Sequence, residues 1–225
     1  HVKAWERSAS GYYDGVDKLV EDAERLSGHY SGVYVVLNPI DPNLLARSAN
    51  HITFNPKVTT GDSHVTCRRW LYLDFDPIRT AGISATDEEQ RQAFDVAREC
   101  REWLTGQGWP DPIRADSGNG AHLLYRIDLP NDENSLRLIS SCLKALAFRF
   151  GTDGVDIDQQ TGNASRLVKL YGTLACKGDA IPDRPHRIAR AFIIPESMSV
   201  VPTERLDALA SMAPQEPDAP SRRQH

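Results

Sequence analysis

The sequence predicts an α/β (α+β) protein, built on a β-α-β-β-α-β module that follows a small α/β subdomain. Alternating apolar and polar residues indicate strands at 67–77 and 121–129, and apolar residues at helical spacing indicate a helix after each of them. The composition has 40% hydrophobic and 25% charged residues among 225. That balance is typical of a domain with a sizeable core and excludes a disordered chain.

The first 65 residues predict a helix, a strand and a second, short helix. Apolar residues recur at helical spacing within 12–26, and Gly28 ends this helix. The apolar segment 32–38 predicts a short buried strand, and 44–48 a short helix beyond a Pro-rich turn. We expect residues 1–65 to form an N-terminal α/β subdomain.

The strand predicted at 67–77 begins the module. Its residues alternate, so one face of the strand is apolar and the opposite face carries two carboxylates. The apolar face is Leu71, Leu73 and Phe75, and the opposite face is Tyr72, Asp74 and Asp76.

The later elements complete the module. A capping box of Thr86 with Glu89 begins a first helix, and Asn131 or Asp132 caps a second one. From residue 213 onward the chain is rich in Pro, Ala and charge, which predicts a disordered tail or linker. The remaining predicted elements are strands at 112–116, 121–129, 154–158, 166–172 and 187–195 and a helix over 203–212.

This element order predicts a ferredoxin-like, or RRM-like, antiparallel sheet. In that topology the first and third strands lie side by side at the centre, and the fourth flanks the first. Both helices cover one face, and the other face is open for function. We assign residues 66–200 to this subdomain, which would hold any catalytic site, and residues 201–225 to a terminal helix with its tail.

The charge is modest in total and unevenly distributed. A net charge of -5 excludes a protein that coats nucleic acid through bulk positive charge. Residues 166–190 nevertheless hold six Lys or Arg against two Asp, whereas 87–102 hold six acids against three bases. The basic stretch is either a binding surface for anions or ordinary surface charge.

The cysteines and the apolar segments exclude other classes of protein. The four cysteines lie more than thirty residues apart, so we expect reduced thiols and no zinc site. No apolar segment approaches the ~20 residues that cross a bilayer, which excludes a membrane protein. The chain opens on His1 rather than Met and has no signal peptide, so we expect a cytoplasmic protein of which this is a trimmed chain or fragment.

Several chemically active side chains are predicted to share the open face. Asp74 and Asp76 point outward from the first strand, and His122 points outward from the third. On the fourth strand Asp158 has the same parity as Asp156, and either could join them. We expect these groups to converge on one patch of the sheet.

Grouped carboxylates without Lys partners repel one another unless cations lie between them. Hard divalent ions such as Mg²⁺ or Mn²⁺ are the natural occupants, and two ions ~4 Å apart support in-line displacement at phosphorus. The alternative for an isolated D-x-D at a strand end is a role in a turn or a cap.

Two further segments predict phosphate binding. The backbone N–H groups of Ser117, Gly118, Asn119 and Gly120, together with His122, could cradle phosphate oxygens. The alternative is a plain hairpin turn beside a structural histidine.

Arg166, Lys169 and Lys177 could hold a triphosphate or a template backbone. Arg166 and Lys169 have opposite parity on a regular strand, so only one can face the site unless a bulge intervenes. The alternative is that the basic residues pair with Asp179, Asp183 or the acidic helix.

Three strings resemble the motifs of the archaeo-eukaryotic primase superfamily. They are LYLDFDP (71–77), SGNGAHLLY (117–125) and VDIDQQTGNASRLVKLYGTLACKG (155–178). The family motifs are D-x-D or D-x-E on a strand, S-x-H at a strand start and a hydrophobic-Asp pair on a later strand. The surrounding strings GVYVVLNP and IRTAGISATDEE resemble primase-polymerases of phages, plasmids and other mobile elements, and the resemblance covers roughly residues 30 to 180.

The resemblance implies the primase fold and template-directed nucleotidyl transfer from NTPs or dNTPs on single-stranded DNA. It implies a cytoplasmic, nucleoid-associated enzyme of prokaryotic, phage or plasmid origin, with a fused or separate helicase as partner. The implied metal ligands for a two-ion Mg²⁺ or Mn²⁺ site are Asp74, Asp76 and Asp158, with Asp156 as a competitor for the third position. The implied nucleotide contacts are Ser117, His122, Arg166, Lys169 and, more weakly, Lys177.

Other functions remain open from the residues. A palm-fold nucleotide cyclase uses the same topology and two Asp ligands, but the chain has no GG-D/E-E-F hairpin. A relaxase is disfavoured because no H-x-H occurs. An RRM-like binding domain would present aromatic residues where Asp74, Asp76 and His122 stand. A catalytically inactive replication initiator that binds single-stranded DNA is the remaining alternative.

Overall fold

The computed structural model describes residues 8–214, so the tail predicted from residue 213 onward lies outside the described residues except for Ala213 and Pro214. Within this range the fold is a mixed α/β one. The helices are α1 (Val16–Leu26), α2 (Asp87–Gly106), α3 (Glu133–Phe150) and α4 (Thr203–Ala210). The strands are β1 (Ala9–Ser10), β2 (Tyr34–Val36), β3 (Thr53–Phe54), β4 (Cys67–Pro77), β5 (Ile113–Asp116), β6 (Ala121–Pro130), β7 (Val155–Ile157), β8 (Leu167–Lys169), β9 (Leu174–Ala175), β10 (Arg187–Ile188) and β11 (Arg190–Ile193). Short 3-10 helices occupy Pro42–Arg47, Asp62–His64 and Gln159–Gly162.

A five-stranded antiparallel sheet in the order β11-β5-β6-β4-β7 forms the centre of the fold. The first and third strands of the predicted series, β4 and β6, lie side by side, and β7 flanks β4. The register places Asp74 opposite His122 and Phe75 opposite Ile157. Residues that lie opposite each other in such a pair share a face, so the register fixes which side chains meet.

The main core lies between the sheet and the helices α2 and α3. Leu71, Leu73 and Phe75 are fully buried there, against Cys100 of α2 and Leu143 of α3. Burial of each such side chain contributes about 1.5–3 kcal/mol, so the alternation along β4 is a strong determinant of the fold. The predicted capping box of α2 is present, and Asp132 rather than Asn131 caps α3.

The opposite face of the sheet is covered, which corrects the prediction that it is open. β2 and β8 pair as an antiparallel two-stranded ribbon, the β2–β8 ribbon, and Val168 of that ribbon packs on Tyr72 and Leu124 of the sheet. These apolar side chains have to be removed from water, and the ribbon removes them. The site below is therefore a cleft at the end of this face.

Several local elements differ from their predictions. The predicted buried strand at 32–38 is only Tyr34–Val36, and its first two residues are exposed. The helix predicted over 12–26 begins at Val16, and the segment at 44–48 belongs to a 3-10 helix. The single strand predicted over 187–195 is divided between β10 and β11, which pair with β9 and β5. It divides at the buried Ala189, where the chain passes from one sheet to the other.

The N-terminal segment makes close contacts with later parts of the chain. β1 pairs with β3 inside the segment, but β2 pairs with β8, and Asp62 accepts hydrogen bonds from Ser165. The division at residue 65 stays a prediction. Among the described residues, no helix is long and apolar enough to cross a membrane.

Candidate functional site

A cleft of about 270 Å³ lies between the end of β4 and β6 and the β2–β8 ribbon. It brings together most of the side chains that the sequence singles out. Those that line it are Asp74, Asp76, Ser117, Asn119, His122, Asp158, Arg166, Lys169 and Lys177, joined by Tyr34, Tyr72 and Leu167.

The acidic side of the cleft is formed by two neighbouring strand ends. Asp74 and Asp76 share one face of β4, and the backbone N–H of Asp158 donates to the carbonyl of Asp74 at 3.1 Å. Asp158 follows β7 and caps the 3-10 helix 159–162 through the N–H of Gln160. Asp156 lies opposite Asp76 in register, but it is exposed and does not line the cleft.

Asp74 is held in its charged form. Burial raises the pKa of Asp74. His122, Arg166 and the Tyr72 hydroxyl lower it by more than burial raises it, so the pKa lies below its usual value. Nε2 of His122 lies 3.4 Å from Oδ1 of Asp74. At neutral pH the cleft therefore contains an ionised carboxylate.

His122 is fixed between two tyrosine hydroxyls. It is 2% exposed, with Nε2 at 2.8 Å from the Tyr72 hydroxyl and Nδ1 at 2.9 Å from the Tyr171 hydroxyl. Burial raises the pKa of both tyrosines, so both remain protonated at neutral pH. The imidazole has a set orientation at the base of the cleft, and neither tyrosine was predicted to belong to the site.

The carboxylates have basic partners, which corrects the prediction that they lack them. Nη1 of Arg79 lies 3.2 Å from Oδ1 of Asp76, and Nζ of Lys177 lies 3.9 Å from Oδ2 of Asp76. Nη2 of Arg166 donates directly to Oδ2 of Asp158. Lys177 meets Asp76 only in the folded chain, so spacing along the sequence did not indicate that pair, whereas Arg79 follows Asp76 by three residues.

Arg166 and Lys169 both line the cleft, although their parity on one strand appeared to exclude it. Arg166 precedes β8 and lies in a turn closed by its N–H to the carbonyl of Asn163. Alternation applies only within the strand, so Lys169 and Leu167 share a face while Arg166 reaches the cleft from outside it.

Lys169 is the least solvated cation of the cleft. It is 6% exposed, and its ammonium donates to the Tyr34 hydroxyl at 3.0 Å and lies 4.2 Å from that ring centroid. Among the described residues it has no carboxylate partner, and Nε of Arg166 is likewise buried without an acceptor. A buried cation without a counter-charge is costly, so these donors favour an anionic ligand.

The turn 117–120 does not offer the predicted cradle of N–H groups. Oγ of Ser117 accepts from the N–H groups of Asn119 and Gly120, and Asp116 accepts from that of Gly118. A Cβ on Gly120 would lie 2.1 Å from the carbonyl oxygen of Phe75, so this glycine permits close packing. The short polar side chains of this turn accept hydrogen bonds from its own N–H groups. Of the four turn residues, only Ser117 and Asn119 line the cleft.

Two arginines that follow Lys177 in the chain have structural partners. Arg184 makes two hydrogen bonds to the carboxylate of Glu89, and Arg187 pairs with Asp87, both in the first turn of α2. Of the six basic residues over 166–190, three line the cleft, two pair with the acidic helix, and Arg190 lies on β11 opposite Asp116. The sequence predicted cleft and helix as alternatives, and both occur.

The donor chemistry of the cleft fits a hard divalent ion. Within residues 8–214, no three His, Cys, Asp or Glu side chains are grouped closely enough to hold a metal by themselves. Mg²⁺ is usually bound by one or two carboxylates together with substrate phosphates and water. The pair Asp74 and Asp76, on one strand face beside donors for an anion, matches that arrangement.

Comparisons with family models, with curated proteins and with solved structures find no match to the chain. The function is therefore inferred from the cleft and from the resemblance of its motifs. Five contributing residues were missed from the sequence: Tyr34, Tyr72, Arg79, Leu167 and Tyr171. Two of them had a local signal, since Tyr72 shares a face of β4 with Asp74 and Arg79 follows Asp76 by three residues.

Proposed function

We propose that the protein is a metal-dependent primase-polymerase, which adds nucleotides to DNA on a single-stranded template. The observation that supports this best is the pairing of opposite chemistries in one cleft. Asp74 and Asp76 offer ligands for a divalent ion. In the same cleft, Lys169 offers a buried ammonium without a carboxylate partner among the described residues, and Arg166 offers a buried Nε without an acceptor. A nucleoside triphosphate with its metal presents both partners at once.

The proposal includes the family and its fold. The module β4-α2-β5-β6-α3-β7 would be the RRM-like catalytic unit of the archaeo-eukaryotic primase superfamily, preceded by its N-terminal subdomain. Such an enzyme would work in the cytoplasm beside the nucleoid, with a helicase as fused or separate partner.

Asp74 and Asp76 would hold Mg²⁺ or Mn²⁺. A bound ion of this kind polarises the α-phosphate and promotes attack by a 3′-hydroxyl. Asp158 is the proposed third ligand. To fill that role, its carboxylate must give up the ion pair with Arg166 and bind the metal ion instead. The released guanidinium would then be free to hold the triphosphate.

The other cleft residues would bind and orient the triphosphate. Lys169 and Arg166 would neutralise negative charge on its phosphates. That charge grows on the leaving pyrophosphate as the bond to the α-phosphate breaks. To contact the same group, His122 would have to exchange one of the two tyrosine hydroxyls that occupy its ring nitrogens for a phosphate oxygen. Lys177 lies beside Asp76, where its positive charge would attract the triphosphate without direct contact to it.

Two alternatives give different products from the same cleft. A nucleotide cyclase would consume triphosphate without a template, and an inactive replication initiator would bind DNA without consuming any. Intact Asp74, Asp76 and Asp158 argue against the inactive protein.

A primer-extension assay tests the proposal. Single-stranded DNA is incubated with Mg²⁺ or Mn²⁺ and with ribo- or deoxynucleotides, with and without an annealed primer. We expect elongated products in the wild type and none in Asp74→Ala or Asp76→Ala, with unfolding temperatures close to wild type. Asp156→Ala is the matched control, because this carboxylate lies on the same sheet outside the cleft, and it should retain activity.

Unprimed products would establish priming, and extension of the primer alone would establish a polymerase. Wild-type activity in Asp74→Ala would contradict the assignment of the site. Triphosphate consumption without elongated product would favour the cyclase.

A further inference from the structure

Two exposed apolar side chains border an otherwise polar cleft. Tyr34 is 44% exposed and Leu167 is 53% exposed, and both line the cleft. The remaining aromatic residue of the lining, Tyr72, is buried beneath His122. Exposed apolar surface next to buried charge indicates a ligand that has both an apolar and an anionic part.

The β2–β8 ribbon fixes the position of this pair. Tyr34 lies opposite Lys169 in register, and Leu167 lies two residues before Lys169 on the same strand face. The apolar pair therefore adjoins the buried ammonium. Gly32 leaves the room for it, because a Cβ there would lie 2.2 Å from Nζ of Lys169.

We infer that Tyr34 and Leu167 form the surface on which the nucleobase of the bound triphosphate packs. The inference rests on the proposed function and extends it to the base. A flat base can lie against the tyrosine ring and the leucine side chain while its phosphates reach Lys169 and Arg166. Contacts of this kind bind any base, because every base has a π-face.

The surface has little capacity to distinguish one base from another. The Tyr34 hydroxyl, which accepts a hydrogen bond from Lys169, keeps one proton to donate, and Leu167 has no polar atom. Because every base carries acceptors, a single donor does not tell the bases apart, which fits an enzyme whose template selects the base. A base of the template strand has the same chemistry, so the experiment must distinguish the two sources.

The test compares ligands with and without a base. Dissociation constants for ATP, CTP and inorganic tripolyphosphate, all with Mg²⁺, are measured without DNA for the wild type and for Leu167→Ala, Tyr34→Leu and Tyr34→Phe. Val35→Ala is the control, since this residue is exposed on the same ribbon but does not line the cleft. A short single-stranded oligonucleotide forms a separate arm.

We expect Leu167→Ala to lower the affinity for both nucleotides about fivefold and to leave the affinity for tripolyphosphate within about twofold of the wild type. Tyr34→Leu should reduce the preference for ATP and CTP over tripolyphosphate. Tyr34→Phe should keep that preference, because the ring remains while the bond to Lys169 is lost. The affinities for ATP and for CTP should change by the same factor in each variant.

The contrary outcomes separate the two claims. If the wild type binds neither nucleotide nor tripolyphosphate, the proposed function fails and the base surface fails with it. If it binds all three equally, or if the preference survives in Leu167→Ala and Tyr34→Leu, the phosphate site stands and the base surface is wrong. If only oligonucleotide binding weakens, the surface belongs to the template and the assignment to the incoming nucleotide is overturned.

Discussion

Lys169 shows at the scale of one residue how stability and binding oppose each other. Its ammonium is buried with a tyrosine hydroxyl as its hydrogen-bond acceptor, and no carboxylate among residues 8–214 pairs with it. A charge that is taken out of water without a counter-charge destabilises the folded state. The residue is explained if a bound anion supplies the missing partner.

Lys169→Met is therefore expected to stabilise the fold while it impairs binding. Removal of the buried charge at similar side-chain volume should raise the unfolding temperature by about 2–4 °C, which corresponds to roughly 1 kcal/mol. Affinity for tripolyphosphate should fall at least about tenfold, or roughly 1.4 kcal/mol. Thermal unfolding and calorimetric titration measure the two effects, with the exposed Lys57→Met as the control. A destabilised variant with unchanged affinity would mean that Lys169 is only structural.

At the scale of elements, the first turn of α2 anchors the loop beyond the cleft. The carboxylate of Glu89 accepts two hydrogen bonds from Arg184 and also completes the capping box of Thr86. The hydrogen bonds from Arg184 are the main cause that lowers the pKa of Glu89. One side chain thus holds both the helix start and the loop that follows Lys177.

The lowered pKa of Glu89 gives this contact a defined pH dependence. A depressed pKa contributes stability that is present above the ordinary value of about 4.3 and is lost as the pH falls through the folded-state value below it. Arg184→Gln should therefore cost about 1–2 kcal/mol of unfolding free energy at pH 7, and the difference from wild type should shrink below about pH 4. Urea unfolding across this range measures it. A difference that stays constant down to pH 3 would show that charge is not its cause.

The elements also show what the sequence can and cannot predict. The alternation of Leu71, Leu73 and Phe75 predicted both the β4 strand and the face that carries Asp74, because that signal is local. The β2–β8 ribbon had no such signal, since Tyr34 and Lys169 are 135 residues apart and meet only after folding. The contacts of Lys177 with Asp76 and of Tyr171 with His122 were missed for the same reason.

At the scale of the whole molecule, the net charge of -5 limits how DNA can be held. The basic residues at the cleft are Arg166, Lys169 and Lys177, whereas Arg184 and Arg187 are engaged with α2. In the proposed function, a template would therefore be held by a few local phosphate contacts rather than by a broad positive surface.

Binding of single-stranded DNA should accordingly depend only weakly on salt. Without bound triphosphate, at most three phosphate contacts, from Arg166, Lys169 and Lys177, predict a slope of about −2 in a plot of log K against log salt concentration. Fluorescence anisotropy of a labelled oligonucleotide over a range of salt concentrations gives this slope. A slope steeper than about −5 would require a further basic surface.

Nucleotide incorporation on four homopolymeric single-stranded DNA templates distinguishes a templated polymerase from the alternatives. Each reaction contains one nucleotide type, with Mg²⁺ or Mn²⁺, for the wild type and for Asp76→Ala. We expect each template to direct incorporation of its complementary nucleotide alone and Asp76→Ala to abolish all four products. Incorporation that ignores the template, or a product that forms without any template, would contradict the proposed function.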